Sequence, residues 1–235
     1  MTTEIESRRL RISGLLAVNK PTLLSSMGVI SRVRGRAKGV RTGHAGTLDP
    51  LATGVLVIGL GRATKQLDAL MGLDKRYQTT IDLSRTTPSF DLELEPEDVE
   101  IPVIPDQVSI ERALADLEGE CMQAPPAFSA IKIDGKRAYV GARKQQHDDL
   151  PPRPVHVHSL SLTRFQWPEV DIDIHCGKGF YVRALARDLG RVLGCGGVCM
   201  SIHRSAIGPY TDEMAMSFDG IPDPLEQEHL LPIPN

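Results

Sequence analysis

The chain has 235 residues, 41% of them hydrophobic, which is enough to bury the core of one large domain or two small ones. Aromatic residues make up 4%, which excludes a row of base-stacking platforms of the single-strand-binding kind. Four cysteines (Cys121, Cys176, Cys195 and Cys199) do not make a disulfide scaffold, and neither an apolar leader nor a run of membrane-spanning length is seen, so a cytoplasmic protein is expected. The net charge of −3 hides a segregation along the chain. Up to Lys65 there are 11 Lys and Arg against 3 acids; from Asp82 to Glu120 the count is 2 against 12; from Asp212 onward it is 0 against 6.

In chain order, Leu15 to Val18 reads as a short strand that ends at Lys20-Pro21, and Ser25 or Ser26 caps a helix running to about Arg34. Gly35 to Gly43 reads as a basic loop. The run of Arg32, Arg34, Arg36, Lys38 and Arg41, just before the Asp49 loop, fits a solvated helix face as well as a phosphate-contacting patch. Val55 to Ile58 is a buried strand, Gly61 to Met71 a helix with Leu67 and Leu70 inward, and Tyr77 to Leu83 an alternating strand. Pro88 to Pro105 is acidic and turn-rich, an exposed loop, and Ile110 to Leu117 is a helix. Ala124 to Pro154, bounded by proline pairs and basic in the middle, stands apart as a unit. Two strands follow, Val155 to Phe165 and Val170 to Cys176, then an amphipathic stretch Tyr181 to Leu193 with Gly194 as its C-cap and an acidic, proline-containing tail. The irregular alternation of strands and helices suggests α+β with a mixed sheet.

The run Gly43 to Leu56 carries the most chemistry. An Asp before a Pro is commonly a turn residue. Here three glycines, two threonines and a His crowd around Asp49, and a buried strand follows. A carboxylate held in a rigid loop against such a strand suits a nucleophile or a base. Other motifs are weaker. Gly59-Leu60-Gly61-Arg62-Ala63-Thr64 lacks the third glycine and the later acid of a dinucleotide site. Cys195, Cys199 and His203 approach metal-ligand spacing, but small buried thiols explain them better. His156 and His158 share a strand face without a carboxylate nearby in sequence and read as surface residues. Ser129 and Ser205 lack the glycines of a nucleophile elbow.

The Asp49 run closely resembles the signature of the TruB family of tRNA pseudouridine synthases. Further motifs follow in the family's order: Lys75-Arg76-Tyr77 matches its Lys-x-Tyr, and Gly179-Phe180-Tyr181-Val182-Arg183 its Gly-x-Tyr-Ile-Arg. Leu189-Gly190 through Gly194-Cys195-Gly196 matches its Leu-Gly…Leu-Gly-Cys-Gly run, while Gln123 to Lys132 and Gly135 to Tyr139 resemble the thumb that clamps RNA. There are departures. Leu23 stands where the family has Gly, Ser84 replaces a usual Gly and Phe180 a usual Thr, and the acidic segment after Thr87 differs from the usual Thr-Asp pattern.

The resemblance implies a pseudouridine synthase fold: α+β, with a mixed, largely antiparallel central sheet, flanking helices and an inserted thumb at 124–154. It implies a single catalytic domain over 1–235, with no room for the C-terminal PUA domain that many relatives carry. The implied activity converts uridine to pseudouridine at position 55 in the T-loop of tRNA, with no cofactor and no metal. The alternatives are a synthase for another tRNA or rRNA stem-loop and a non-catalytic RNA chaperone on the same fold. The implied partner is tRNA, bound by a monomer that needs no protein partner and no membrane. Asp49 is implied as the catalytic residue, Tyr77 as the residue near the target base and Arg183 as the counter-charge of Asp49. His44 is implied to help displace or replace the flipped base, and Ile202 to wall it. Lys20, Gly46, Thr47 and Tyr181 are implied as further substrate contacts, and Lys132, Lys136 and Arg137 as phosphate contacts of the thumb.

Overall fold

A computed structural model describes residues 12–126, 132–133, 136–137 and 151–233, with only the backbone at 132, 133, 136 and 137. The chain divides into two compact units. The first takes the chain up to Leu73 and again from Arg204 onward; the second takes Asp74–His203.

The first unit opens with β1 (Gly14–Lys20), α1 (Ser26–Arg36), β2 (Thr42–His44) and β3 (Thr53–Leu60). β3 pairs antiparallel with β1, Val18 opposite Leu56, and with β2, His44 opposite Ile58. Both strands read as unbroken apolar runs because both of their faces are covered. Leu16, Val18, Leu56 and Ile58 pack with Val29, Ile30 and Val33 of α1 and with Ile221 and Leu225 of the tail. Their neighbours Leu15, Ala17, Val55 and Val57 pack with Leu70, Ile207 and Tyr210. Each such large side chain stabilises by about 1.5–3 kcal/mol on burial. The Ser25 hydroxyl caps α1 by accepting from the Gly28 N–H at 3.1 Å. The basic loop expected at 35–43 is shorter than that, because α1 runs on to Arg36 and Thr42 already joins the sheet. Gly61 to Met71 is not one helix: a 3-10 turn, Gly61–Gln66, precedes α2 (Leu67–Met71). The Thr64 hydroxyl donates back to the Gly61 carbonyl at 2.8 Å, a local bond that favours the tighter turn.

The second unit contains β4 (Lys75–Asp82), β5 (Arg85–Thr86), β6 (Glu97–Asp98), α3 (Gln107–Ala115), β7 (Gly119–Gln123), β8 (Lys132–Ile133), β9 (Lys136–Arg137), β10 (Arg153–Gln166), β11 (Glu169–Cys176) and α4 (Val182–Leu193). β4, β11, β10 and β7 lie side by side, each pair antiparallel. The period of two puts Val170, Ile172, Ile174 and Cys176 of β11 into the core, where they meet Ile110 and Leu114 of α3 and Leu185 and Leu189 of α4. Asp171, Asp173 and His175 alternate with them. In β10 the buried positions Val155 and Val157 are followed by Leu160, one residue out of phase. A bulge absorbs the difference: Val157 faces Cys176 and Ser159 faces His175, leaving His158 as the extra residue. α3 begins earlier than Ile110 because the Asp106 carboxylate accepts from the Ser109 N–H and caps it. α4 ends as expected, with Gly194 in the left-handed region at φ 66°.

The acidic loop expected at 88–105 needs correction. Its residues 92–95 are exposed, but Ser89 and Asp91 are buried and β6 pairs with β5. The proposed thumb, 124–154, lies largely outside the described residues; within it, β8 pairs antiparallel with β9. β12 (Val198–Ile207) returns the chain to the first unit, where β13 (Tyr210–Thr211) turns back on Ala206 and Ile207, and β14 (Met216–Ser217) runs parallel to β1. The class is α+β, with a mixed and largely antiparallel sheet. Among the described residues no helix is long and apolar enough to cross a membrane.

Candidate active site

Asp49 lies half-buried in the loop between β2 and β3. The sheet fixes the loop at its start, where the Ala45 N–H donates to the Val57 carbonyl at 2.8 Å, and a turn closes at Asp49 itself, whose carbonyl accepts from Ala52 N at 3.1 Å. Three side chains from elsewhere in the first unit hold the loop. Arg204 is 1% exposed; its Nε donates to the Val55 carbonyl at 2.8 Å and its Nη2 to the Gly46 carbonyl at 3.1 Å, so one guanidinium ties both sides of the loop. The Ser26 hydroxyl both accepts from the Leu48 N–H and donates to the Leu48 carbonyl, each at 2.9 Å. The Lys20 ammonium donates to the carbonyls of Pro21, Leu24 and Pro50 at 2.9, 2.6 and 3.1 Å. Bonds of this charged kind are each worth about 1.5–3 kcal/mol. Gly54 is required where the loop rejoins β3: its φ is +102°, and a Cβ there would sit 2.3 Å from the Arg204 carbonyl oxygen.

This architecture sets the local charge. Burial pulls the Lys20 ammonium down from its ordinary 10.5 to about 8; the Asp49 charge opposes that shift and the Arg204 charge adds to it. His44, half-buried at the end of β2, is also pushed below its ordinary 6.5, first by burial and then by Arg204, against a hydrogen bond with the Gly46 backbone. Its imidazole is therefore neutral near pH 7. Of the neighbours implied as substrate contacts, Thr47 is exposed and Gly46 is drawn into the Arg204 bond. Lys20 is fully buried with its ammonium on three carbonyls of the loop region.

The second unit holds Tyr77, Tyr181, Arg183 and Ile202. Tyr77 on β4 is paired opposite Ile174 and packs partly buried against the core, as does Ile202 on β12. Tyr181 leads into α4. The Gln123 carboxamide grips its peptide on both sides, accepting from Tyr181 N at 2.8 Å and donating to its carbonyl at 3.3 Å. Arg183, 3% exposed on the first turn of α4, donates to the Ser89 carbonyl at 3.1 Å and has its Nε 3.6 Å from Asp91 Oδ2. Asp91 is itself tied down: its Oδ1 accepts from the Glu93 N–H, and its carbonyl accepts from the hydroxyls of Thr87 and Ser89. Next to it Phe90 sits at φ +58°, a strained position for a non-glycine residue, with its carbonyl accepting from Cys199 N at 2.9 Å.

Sequence reasoning missed Arg204 and Asp91. Asp91 had one signal, its place at the head of the acidic run directly after Thr87, Ser89 and Phe90; Arg204 had none beyond its place after Ile202. Cys195 and Cys199 are free thiols, with the Cys195 thiol raised by burial. Among the described residues the group that could hold a metal is instead Asp74, His158 and His175. The surface histidines do meet carboxylates, brought from afar: His156 lies 2.9 Å from Glu120, and His158 3.2 Å from Asp74. The stretch after Gly59 opens only a 3-10 turn and a five-residue helix, so it offers no helix N-terminus of the dinucleotide kind.

Residues 34–182 match the model of the TruB family pseudouridylate synthase N-terminal domain. The tRNA pseudouridine synthase B of Parabacteroides distasonis is 41% identical over 219 residues, covering 91% of this chain and 93% of that protein. The protein of the same name from Opitutus terrae is 40% identical, covering 96% and 95%; that from Dinoroseobacter shibae is 41% identical, covering 94% of this chain and 74% of its own. Among solved structures, a Cbf5-Nop10-Gar1 complex contains a chain with a TM-score of 0.69 at 23% identity, which shows a shared fold. This protein spans 91% of its own length in that match but only 54% of the other chain. With its ordered motifs, its α+β sheet and relatives of this closeness along nearly its whole length, the chain belongs to the TruB family of pseudouridylate synthases.

Proposed function

We propose that this protein converts uridine to pseudouridine in tRNA, at position 55 of the T-loop, and that Asp49 is the catalytic residue. The observation that carries the reading is the Asp49 loop: one half-buried carboxylate on a backbone fixed by Arg204, Ser26 and Lys20. A rigid support of this kind is what a nucleophile or base requires, since a displacement of about 1 Å can cost on the order of a hundredfold in rate. The reaction breaks the N1–C1′ bond, turns the uracil, and joins C5 to C1′. One proton leaves C5 and one arrives at N1, so atoms and electrons balance without an external reagent. Tyr77 is proposed to lie against the base, Arg183 to supply the counter-charge that keeps Asp49 ionised, and neutral His44 to take the place of the flipped base. Extrusion of the base costs a few kcal/mol of unstacking.

tRNA is the proposed partner, bound by a cytoplasmic monomer acting without a second protein. Exposed Arg34, Lys38 and Arg41 are available to phosphates. Arg32 is committed within the first unit, with its guanidinium 4.2 Å from the centre of the Phe218 ring and 3.4 Å from Asp219. The thumb positions Lys132, Lys136 and Arg137 are proposed as further phosphate contacts.

The test is pseudouridine mapping on an unmodified tRNA transcript incubated with the purified protein and with Asp49→Asn. The expected result is modification at the T-loop uridine by the native protein, and none by the variant, which still binds tRNA. Turnover by Asp49→Asn near the native level overturns the role of Asp49. Modification confined to another stem-loop overturns the substrate.

A further inference from the structure

We propose that Asp74, His158 and His175 form a binding site for one divalent late first-row transition-metal ion on the outer face of the second unit's sheet. The three donors come from separate stretches of chain: Asp74 from the entry to β4, His158 from β10 and His175 from β11. Asp74 Oδ2 lies 3.2 Å from His158 Nε2 and 3.9 Å from His175 Nε2, and the three ligand atoms all fall within 4.8 Å of one another. Ligands around a tetrahedral zinc ion, bonded at about 2.0–2.1 Å, stand about 3.3 Å apart. Asp74 and His158 already stand at that spacing, and side-chain rotations that move ligand atoms by up to about 1.5 Å close the set around an ion.

The bulge in β10 is the second observation. His158 is its extra residue, inserted between the pairs Val157–Cys176 and Ser159–His175. Bulges re-aim a side chain at the cost of a local break in the ladder. Here the re-aimed imidazole lies with its centroid 4.4 Å from that of His175. His156 backs the pair: its ring meets the His158 ring edge-on at 4.5 Å, and its Nδ1 is 2.9 Å from Glu120.

The donor chemistry selects the cation. Two imidazole nitrogens and one carboxylate suit zinc, cobalt, nickel or ferrous iron, whereas calcium and magnesium prefer oxygen. Asp74 and His158 are exposed, which leaves room for water to complete the coordination. Arg76 lies near enough to His175 for its charge to be felt there. That charge repels a cation, and the Asp74 carboxylate offsets the repulsion.

The test is titration of the full chain with Co²⁺, read by its visible absorption, and with Zn²⁺ by calorimetry. The expected result is one equivalent bound through nitrogen and oxygen, without a thiolate charge-transfer band. His158→Ala and His175→Ala should each weaken binding by more than about tenfold. In the native chain, Zn²⁺ should shift the imidazole NMR signals of His158 and His175 while leaving His229 unmoved, a readout that depends on no variant. Absence of binding, a thiolate band from the cysteines, or binding that survives both substitutions overturns the proposal. In those outcomes the three side chains are a surface cluster held by their own polar contacts.

Discussion

Arg183 and Asp91 form a buried pair, 3% and 4% exposed, with the guanidinium Nε 3.6 Å from the carboxylate. A charge so removed from water depends on its partners. Removing one partner of such a pair typically costs about 3–5 kcal/mol. Asp91→Ala is therefore expected to lower unfolding free energy by about 3 kcal/mol or more, and to reduce turnover on tRNA because Arg183 loses its orientation. Urea denaturation checks the first effect and a pseudouridine assay the second. A loss below about 1 kcal/mol, the size of a surface pair, contradicts this account.

Arg204→Lys keeps the charge but not the fork that reaches both Gly46 and Val55. The expected loss is about 1.5–3 kcal/mol in stability, the worth of one charged hydrogen bond. Turnover should fall while tRNA affinity is nearly kept, because the change loosens the Asp49 loop and leaves exposed phosphate contacts untouched. Single-turnover kinetics with a separate binding measurement distinguish the two. Equal losses in both would show that Arg204 supports RNA binding instead.

Leu23 occupies the left-handed region at φ 63° and is 78% exposed. A non-glycine residue there carries roughly 1–2 kcal/mol of strain, and its exposed side chain recovers little. Leu23→Gly removes the strain but adds freedom to the unfolded chain, offsetting about 0.5–1 kcal/mol. A net gain of about 0.5–1 kcal/mol is expected, seen as a higher denaturant midpoint at unchanged slope. A lower midpoint counts against the strain.

Lys20 makes stability depend on pH in a definite direction. Its folded-state value of about 8 lies below the ordinary 10.5, so between those limits the unfolded chain holds the proton longer. Stability from this group therefore rises as pH climbs from about 8 toward 10.5 and is lost as pH falls back through about 8. The difference in unfolding free energy between the native protein and Lys20→Met should shift in favour of the native protein across that window. A flat difference would show an ordinary, solvated ammonium.

The parts of the fold legible in the sequence were those whose determinants are local. The runs at Leu15 to Val18 and Val55 to Ile58 announce buried strands, and the amphipathic stretch before Gly194 announces α4. The identity of Asp49 as a candidate was equally legible, because its glycines, threonines and proline are its immediate neighbours. What holds that loop was not legible. Gly46 and Arg204 are 158 residues apart, and Val55 and Arg204 are 149 apart. No local pattern encodes such pairings. The phase slip between Val157 and Leu160 was written in the sequence, but its meaning needed His175 from the adjacent strand. Lys20 shows the limit of motif reasoning: the family resemblance implies a substrate contact, and only the structure gives its ammonium partners in the carbonyls of Pro21, Leu24 and Pro50.

The bond from Arg204 to Gly46 also sets an order of events at the ribosome. The strands that flank Asp49 emerge early, but the guanidinium that fastens their loop is made 158 residues after Gly46. At roughly 5–20 residues per second, that interval is on the order of ten to thirty seconds. A nascent chain halted anywhere before Arg204 holds the Asp49 loop by Ser26 and Lys20, without the bonds to Gly46 and Val55. Truncated products would thus carry Asp49, the proposed catalytic residue, on a loop without its Arg204 anchor, and the complete support arrives only with the closing stretch of translation.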